Sequence, residues 1–374
     1  MKKILFCAST SQHLRRFHLP YLRAFRQAGW QVWAASGSED PVAEADRFVR
    51  LPLEKRLLSG KNAQAVLAAR RLLMQEQFDC VSVHTTLAAA AVRLAARAMK
   101  QRPKIFYTCH GYLFSESDGA RSAPYLLAEK LCAPVTDVLM VMNREDREIA
   151  RRHSLCGAGE PRLIPGMGVD LRRYAPWDER RRLQSRGAHG YTPQDFVLVY
   201  AAEFSPRKNH ELLLRAFAAA EPDCPGLRLF LAGEGALRGN CERLAAELGI
   251  SGRVRFAGEV RKMEQVYGLC DASVTTSRSE GLPFNVMEAM AAKLPVAATR
   301  VKGHEDLIRN GETGLLFDPH SVTDAADAIR RLYHAPELCE ALAETARREL
   351  MRYALPAVLP QILGVYRESF PGEI

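Results

Sequence analysis

Short apolar runs alternate with longer amphipathic stretches through the first half of the chain. The runs predict strands, and the stretches between them predict helices. The predicted strands are residues 3–8, 31–36, 80–83, 104–108 and 137–142, and the predicted helices are 17–28, 63–75, 87–100 and 123–132. Alternation at this spacing indicates an open parallel sheet that is covered by helices on both faces.

The alternation restarts near residue 170, after a short strand and a crossing rich in Pro and Gly. Residues 174–192 are polar and rich in Arg, which is typical of a linker with a lead-in helix. Strands are then predicted at 196–201, 228–232, 254–257 and 272–275, and helices at 210–219, 238–248, 263–269, 284–292, 325–334 and 337–351. We therefore predict an α/β chain of two doubly wound, Rossmann-like domains, 1–170 and 171–355. Ligands bind beyond the carboxyl ends of such strands, so the two domains are expected to face a central cleft.

The sequence has the character of a cytoplasmic protein. The longest apolar run, 196–204, contains Glu203 and is far shorter than the roughly 18 residues of a membrane-spanning helix. The apolar start of the chain stops at Ser9, too early for a signal peptide. The nine cysteines are scattered and form no C-x-x-C pair, which favours reduced thiols over disulfides or a zinc site.

The excess positive charge lies entirely in the first half of the chain. Residues 1–170 contain 25 Lys and Arg against 16 Asp and Glu, whereas residues 171–374 contain 27 of each, so the first half carries the whole net charge of +9. Nucleic acid and the anionic inner leaflet of a membrane are both partners that suit a basic face. The basic residues expected to form a membrane-facing surface lie on or near two predicted helices: Lys55, Arg56, Lys61, Arg70 and Arg71 precede or lie on the first, and Arg93, Arg97, Lys100, Arg102 and Lys104 lie on or just after the second. Arg93 and Arg97 are one helical turn apart and are expected on one exposed face. A surface that only solubilises the domain is the alternative.

The pattern Glu280-Gly-Leu-Pro-Phe-Asn-Val-Met-Glu288 places two carboxylates on either side of a tight turn. The first lies after a strand, and the second lies within a new helix. The free N–H groups at the helix start favour an anion, while carboxylates accept hydrogen bonds from hydroxyls. A ligand with phosphates and sugar hydroxyls suits this arrangement. An ordinary strand–turn–helix with solvated glutamates is the alternative.

Two further segments follow predicted strands. Arg207 and Lys208 form a basic pair just before a helix, where they are placed to meet phosphate, although a basic surface turn has the same pattern. His84 and His110 each stand at the end of a strand, and Gly111 lets the backbone approach a ligand closely. A histidine at a strand end is more often structural than catalytic.

Several classes of site are excluded by the sequence. The glycines of residues 233–239 do not have G-x-G-x-x-G spacing, and nothing matches a P-loop or a G-x-S-x-G elbow. No D-x-D occurs, so the carboxylate pair that commonly holds a metal and a diphosphate is absent. The basic residues are not interleaved with aromatic residues, which argues against a nucleic-acid partner.

Taken together, these segments resemble the retaining glycosyltransferases of family 4, which have the two-domain GT-B fold. The resemblance covers nearly the whole chain and is carried by residues 164–170, 205–210, 231–235, 254–258, 280–288 and 310–317. Residues 17–22 and 107–111 are similar to the bacterial exopolysaccharide-type members. The resemblance implies an acceptor-binding N-terminal domain and a donor-binding C-terminal domain, with residues 356–374 returning to the first domain.

The resemblance also implies roles for single residues. Lys208 is expected to hold the donor diphosphate, Glu280 to face the donor sugar and His110 to lie beside the reacting sugar, which makes these three the implied catalytic residues. Glu288 is expected to bind the ribose hydroxyls. The whole implied donor set is Arg207, Lys208, Gly258, Arg261, Glu280, Gly281, Leu282, Pro283, Phe284 and Glu288, and the implied acceptor set is His13, His84 and Tyr112.

The implied reaction transfers a sugar, with retention, from a UDP-hexose or UDP-N-acetylhexosamine to a lipid-linked or growing saccharide. The departing diphosphate is expected to help deprotonate the acceptor, and no metal or other cofactor is expected. The implied location is peripheral, at the inner face of the cell membrane.

The chain departs from the family pattern at two places. Glu203 stands where the family usually has a diphosphate-binding Arg. Either Arg207 or Arg261 replaces that Arg, or Glu203 turns away from the phosphate. The first loop, residues 9–13, is not rich in glycine. Two other functions remain open at this point: a sugar-nucleotide epimerase of the same fold, and a non-catalytic binder of a sugar nucleotide or polyanion.

Overall fold

Two parallel sheets organise the chain, one in each of two structural units. The computed structural model describes residues 1–53, 60–157 and 159–374. Unit 1 comprises Met1–Gly168 and Pro356–Ile374, and unit 2 comprises Val169–Leu355. This division lies within two residues of the boundaries at 170 and 355 that the sequence predicts.

Unit 1 contains a seven-stranded sheet. Its strands are β1 (Lys3–Cys7), β2 (Gln31–Ser36), β3 (Arg47–Arg50), β4 (Cys80–His84), β5 (Lys104–Cys109), β6 (Val138–Val141) and β7 (Arg162–Leu163). They lie in the order β3-β2-β1-β4-β5-β6-β7, and every pair is parallel. In the register of the sheet, Leu5 of β1 lies opposite Trp33 on one side and Val81 on the other.

Helices cover this sheet, so its central strands are buried on both faces. The helices of the first segment are α1 (Ser11–Phe17), α2 (Leu19–Gln27), α3 (Gly60–Glu76), α4 (Thr86–Arg97), α5 (Ala123–Cys132) and α6 (Arg144–Arg152), with short 3₁₀ helices at Glu116–Ser122 and Ala133–Val135. The helix predicted at 17–28 corresponds to α2, whereas α1, which ends where the chain turns at His18, was not predicted.

Unit 2 contains a six-stranded parallel sheet. Its strands are β8 (Phe196–Ala201), β9 (Leu227–Ala232), β10 (Val254–Gly258), β11 (Ala272–Thr275), β12 (Val296–Thr299) and β13 (Leu315–Phe317), in the order β10-β9-β8-β11-β12-β13. Its helices are α7 (Glu179–Ala188), α8 (His210–Ala220), α9 (Arg238–Glu247), α10 (Met263–Leu269), α11 (Phe284–Ala291), α12 (His304–Leu307), α13 (Val322–His334) and α14 (Pro336–Glu349), with 3₁₀ turns at Glu221–Asp223, Ser251–Arg253 and Leu350–Tyr353.

The last helix, α15 (Leu355–Arg367), packs into the core of unit 1. The ring of Tyr366 stacks on Phe106 of β5 with the centroids 4.3 Å apart. The Tyr366 hydroxyl lies 2.6 Å from Ser82 Oγ, which in turn lies 3.0 Å from His84 Nε2. The C-terminal segment therefore belongs to the first unit, and it contacts the end of strand β4.

Both sheet orders reverse direction at their centre, between β1 and β4 in unit 1 and between β8 and β11 in unit 2. At such a reversal the loops that leave the neighbouring strands turn to opposite faces of the sheet and leave a crevice between them. Each unit thus has one place where side chains from two loops can converge on a ligand.

Arg93 is buried, contrary to the sequence-based expectation that it lies on an exposed basic face of α4. Its side chain is fully inaccessible, and Nη2 lies 2.9 Å from Oε2 of Glu129 on α5. The guanidinium stands 3.9 Å from the centroid of the Tyr107 ring. Arg93 is therefore a core residue and has no surface to offer a partner.

The remaining fold-level observations concern the thiols and the helices. All nine cysteines are free thiols, as predicted, and eight of them are buried. None of the helices in the described part of the chain is both long and apolar enough to cross a bilayer.

Replacing Glu129 by Gln should destabilise unit 1 strongly. The change leaves the Arg93 guanidinium buried without a counter-charge, and breaking a buried ion pair in this way typically costs about 3–5 kcal/mol. The matched control is Glu148→Gln on α6, which removes an exposed partner 3.9 Å from Arg151 and should change little. Urea unfolding of both variants measures the difference, and a loss below about 1 kcal/mol for Glu129→Gln would contradict a structural role for this pair.

Candidate functional site

In unit 2, three charged side chains meet where the strand order reverses. Arg207 and Lys208 lie in the loop that follows β8, and Glu280 lies in the loop that follows β11. Because β8 and β11 are neighbours in the sheet, their loops leave the same edge side by side. The structure thus brings together the two predicted phosphate ligands and the residue predicted to face the donor sugar.

Glu280 holds both basic residues. Arg207 Nη1 donates to Glu280 Oε2 over 2.9 Å and to the carbonyl oxygen of Ser279 over 2.9 Å, and Lys208 Nζ donates to Glu280 Oε1. The Glu280 side chain is only 7% exposed, whereas that of Arg207 is 44% exposed. The charges of Arg207, Lys208 and Glu280 sum to +1, and the charge of the neighbouring Glu203 also acts on Arg207. The exposed part of the Arg207 side chain leaves a cation that can meet an anion.

The Glu280 carboxylate is kept ionised by its neighbours. Burial alone would raise the pKa of Glu280, but the charges of Lys208 and Arg207 hold it well below its usual range. A carboxylate in this state accepts hydrogen bonds and does not deliver a proton at neutral pH. It is therefore suited to binding hydroxyls or orienting cations rather than to general acid catalysis.

His304, which the sequence analysis did not single out, also lies beside Glu280. It begins α12 after β12 and is fully buried, and its Nδ1 lies 2.8 Å from the carbonyl oxygen of Thr299. Burial lowers the pKa of His304 to about 4 although Glu280 opposes the shift, so the ring is neutral at pH 7. A Cβ added at Gly303, where φ is +80°, would lie 2.9 Å from the Glu280 Cβ, so only glycine permits this approach.

The turn after Glu280 leads directly into helix α11. Gly281, Leu282 and Pro283 are buried, Pro283 is the N-cap residue, and Phe284 is the first residue of the helix. Further along α11, Glu288 is 3% exposed and accepts hydrogen bonds from Tyr174 (2.9 Å) and Tyr267 (3.3 Å). The two tyrosines fix the orientation of this carboxylate, and its contact with a ribose remains a prediction.

The other predicted donor residues lie at the edges of this unit. Gly258 ends β10, and its carbonyl oxygen accepts from Gly233 N over 2.7 Å. Arg261 is exposed, as is Glu203. Of the two arginines proposed as replacements for the family's usual one, Arg207 is the one whose side chain contacts Glu280.

In unit 1, histidines cluster at the carboxyl ends of the central strands. His13 lies on α1 just after β1, His84 ends β4, and His110 follows β5. Thr10 caps α1 by accepting from His13 N over 3.3 Å, which fixes the start of that helix. His13 Nε2 and His110 Nε2 are 3.3 Å apart.

His18, in the turn between α1 and α2, completes the cluster and was missed by the sequence analysis. It is fully buried, and its ring lies 3.7 Å from the His84 ring, centroid to centroid. Burial, together with the neighbouring histidines, lowers the pKa of His18, His84 and His110 well below the usual value, and burial lowers that of His13 to about 4. All four imidazoles are neutral at pH 7.

Tyr112, a predicted acceptor residue, points into the core instead of joining this cluster. Its side chain is 3% exposed and stacks on Phe114, with the ring centroids 5.1 Å apart. Gly111, between His110 and Tyr112, has φ of +115°, a backbone conformation that glycine adopts without strain. An acceptor contact through Tyr112 remains a prediction, and it has little accessible side-chain surface to use.

His210, which follows directly after the basic pair and Asn209, is buried by aromatic rings. It stacks on Phe204 with the centroids 4.1 Å apart and lies 4.8 Å from the Tyr200 ring. Neither of its ring nitrogens has a hydrogen-bond partner among the described residues. Burial, aided by the charge of Lys208, lowers the pKa of His210 to about 3.

The chain is similar to known proteins over most of its length. Residues 182–349 match the family described as "Glycosyl transferases group 1", and residues 21–173 match "Glycosyltransferase Family 4". The chain is 35% identical over 369 residues to the protein described as "Putative glycosyltransferase EpsD" of Bacillus subtilis (strain 168); the match covers 98% of this chain and 96% of EpsD. It is also 32% identical to the D-inositol 3-phosphate glycosyltransferase of Rhodococcus erythropolis, over 68% of this chain and 59% of that one.

Solved structures match over both units. The sucrose-phosphate synthase of Thermosynechococcus elongatus superposes with a TM-score of 0.83 at 22% identity, covering 99% of each chain. HepE of Anabaena, in complex with UDP and glucose, superposes with a TM-score of 0.80 at 18% identity, covering 98% of this chain and all of that one. These similarities show the GT-B fold.

The buried, unpaired ring of His210 predicts a pH-dependent stability. Below pH 6.5 the unfolded chain binds a proton at this residue, whereas the folded ring stays neutral, so stability is lost as the pH falls from 6.5 towards 3. His210→Phe keeps the aromatic stacking and removes the titration. At pH 5 the variant should lose about 2 kcal/mol less than the parent, relative to pH 7.5. Urea unfolding at both pH values measures this difference, with exposed His320→Phe as the control; parallel pH curves for parent and His210→Phe would refute it.

Proposed function

The chain belongs to the glycosyltransferases, and on that basis we propose that it moves a sugar from a nucleotide-sugar donor to a saccharide acceptor, with retention at the anomeric carbon. The observation that carries the proposal is the cluster of Arg207, Lys208 and Glu280 at the reversal of strand order in unit 2. We assign the donor to unit 2 and the acceptor to unit 1.

The basic pair suits the diphosphate of the donor. Lys208 supplies a compact charge, and Arg207 supplies a planar fork that can bind two oxygens at once. When the bond from the sugar to the diphosphate breaks, negative charge grows on the departing oxygen, and these cations stabilise it most at that moment. Because the two side chains provide this charge, the proposed donor site uses no metal or other cofactor.

Glu280 has two roles in this proposal. In the structure it is the partner of both cations and holds them at the edge of the sheet. With a donor present, one carboxylate oxygen turns to a sugar hydroxyl while the diphosphate takes over part of the contact with the cations. The low pKa of Glu280 keeps it an acceptor throughout, so it positions the donor and does not protonate it.

The transfer itself is a substitution at the anomeric carbon on one face of the sugar. The bond from carbon 1 to the phosphate oxygen breaks, the acceptor oxygen forms a new bond to carbon 1 on the same face, and the hydroxyl proton passes to the departing phosphate. No protein nucleophile is required. The protein contributes positioning and electrostatic stabilisation.

We propose a UDP-hexose or UDP-N-acetylhexosamine as donor and a lipid-linked or growing surface polysaccharide as acceptor. The supporting comparison is HepE, whose structure was solved with UDP and glucose and also with UDP-glucose. In unit 1, the imidazoles of His13 and His110 are partly exposed, and they are the groups proposed to contact the acceptor hydroxyls.

Lys208→Ala should reduce turnover about a hundredfold, because it removes roughly 3 kcal/mol of stabilisation from the departing diphosphate. The measurement is release of UDP from a panel of UDP-sugars, with and without acceptor. Lys293→Ala, which removes a lysine paired with Glu340 elsewhere in unit 2, is the matched control and should keep full turnover. A loss of only a few-fold for Lys208→Ala would overturn the phosphate assignment. Conversion of the donor without any acceptor would favour an epimerase.

A membrane-facing surface is also proposed for unit 1, centred on helix α3. Four exposed side chains form one stripe along this helix, because they are spaced three, one and three residues apart. They are Leu67, Arg70, Arg71 and Met74. On α5, Leu127 and Leu131 are exposed with Lys130 between them. Apolar and basic side chains on one face are typical of helices that rest on an anionic bilayer.

Two corrections apply to the basic residues first considered for this surface. Arg93 cannot contribute, since it is buried against Glu129. Lys55 and Arg56 fall outside the residues that the structure describes. The proposal therefore depends on Arg70, Arg71 and the exposed apolar residues beside them.

Arg70→Glu with Arg71→Glu should abolish sedimentation of the protein with anionic vesicles. Each basic residue near an anionic surface contributes about 1 kcal/mol, and reversing the charge converts attraction into repulsion. The matched control is Arg347→Glu with Arg348→Glu, an equally exposed adjacent pair on α14 of unit 2, which should leave sedimentation unchanged. High salt should release the parent. Equal binding of the parent to neutral vesicles, or binding to neither kind, would refute the surface and favour a soluble acceptor.

A further inference from the structure

The histidine cluster of unit 1 contains more than the proposed transfer uses. The proposed function calls on His110 and His13 as single imidazoles near an acceptor. It gives no role to His18, which is fully buried and has no hydrogen-bond partner at either ring nitrogen among the described residues. A buried polar ring with two unpaired nitrogens is costly unless another group satisfies it.

The geometry of the three rings is that of a metal-binding site. One ring nitrogen from each of His13, His18 and His110 can be chosen so that all three lie within 4.8 Å of one another. Two nitrogens bonded to a tetrahedral zinc ion at about 2.0–2.1 Å are separated by roughly 3.3 Å. His13 Nε2 and His110 Nε2 are 3.3 Å apart, so these two already stand at the spacing of adjacent ligands.

The environment suits the same ligand. Imidazole nitrogens are common ligands of zinc and other divalent transition metals. His13 and His110 are partly exposed, which gives an ion a route of entry, while His18 closes the inner side. The ring of His84 packs against that of His18 with the centroids 3.7 Å apart and the planes tilted by 32°, and its Nε2 lies 3.0 Å from Ser82 Oγ.

We propose that His13, His18 and His110 bind one zinc-class divalent ion, with three imidazole ligands and a fourth position open to solvent. The prediction that no metal binds at the diphosphate concerns a different place. The proposed site lies in unit 1 and has nitrogen ligands, whereas magnesium is held by carboxylates and phosphates. A consequence that rests on the proposed function is inhibition: an ion that occupies His110 withdraws that imidazole from the acceptor, so Zn²⁺ lowers turnover.

The test is a titration of the full-length chain, stripped with EDTA and dialysed. Calorimetry with Zn²⁺ should give one equivalent of tight binding, and Co²⁺ should give the intense visible absorption of a tetrahedral site. His13→Gln and His18→Phe should each weaken Zn²⁺ binding at least about a hundredfold. Loss of a residue that only orients a metal ligand weakens metal binding by up to about a hundredfold, and loss of the ligand itself should weaken it at least as much. Circular dichroism checks that both variants are folded, and the two are chosen because His13 is partly exposed and Phe keeps an aromatic ring packed against His84.

His320→Gln, an exposed histidine in unit 2, is the control and should bind Zn²⁺ as the parent does. Absence of stoichiometric binding, or binding that persists in both His13→Gln and His18→Phe and so belongs to other groups such as the thiols, would overturn the site. The activity of the stripped protein separates this inference from the proposed function. Binding of Zn²⁺ without inhibition would keep the site and overturn the role of His110 in transfer, and activity that requires Zn²⁺ would keep the site and replace inhibition with a direct requirement.

Discussion

The reversal of strand order in each parallel sheet is the constraint on which both sites depend. Right-handed crossovers add successive strands on one side of the first strand. To add strands on the other side, the chain must cross back over that first strand. The sheets do this between β1 and β4 and between β8 and β11. In a parallel sheet every strand ends at the same edge. The loops that follow the two strands at the reversal therefore start side by side, and they bring together residues far apart in the sequence, such as Lys208 and Glu280.

The buried polar groups of the two crevices differ: those of unit 2 are ionised, and those of unit 1 are neutral. Unit 2 gathers charges that balance each other, and Glu280 stays ionised because two cations meet it. Unit 1 gathers imidazoles that stay neutral because burial and the neighbouring histidines oppose their protonation. The first arrangement holds two cations that suit phosphate, and the second holds uncharged nitrogen donors.

Much of the fold could be predicted because parallel strands that are buried on both faces are continuous apolar runs in the sequence. The runs at 3–8, 104–108 and 196–201 correspond to strands β1, β5 and β8 to within a residue. Strands β3, β12 and β13 were missed. β3 is a short edge strand, Arg47–Arg50, with charged residues at both ends, and Val296–Thr299 is too short and too rich in alanine to stand out from a helix.

The site could be predicted wherever its residues form a local pattern, as Arg207 with Lys208 and Glu280 with Glu288 do. It could not where the environment comes from distant segments. Arg93 and Arg97 stand one turn apart on α4 and look like one basic face, but Glu129, 36 residues further along, draws Arg93 into the core. His18 and His304 were missed for the same reason, because each is single in its own segment and acquires its neighbours only on folding.

The return of Pro356–Ile374 to unit 1 has a consequence for the order in which the protein forms during translation. The hydroxyl of Ser82 lies between His84 and Tyr366. Its contact with Tyr366 can form only after all of unit 2 has been synthesised. At about 5–20 residues per second, the ribosome needs roughly 10–40 s to travel from residue 168 to Tyr366. During that interval Phe106 and Trp30 lack the aromatic rings of Tyr366 and Phe370 that later cover them, so nascent unit 1 carries an exposed apolar seam. Unit 2, whose residues are contiguous, can fold first, although its synthesis begins second.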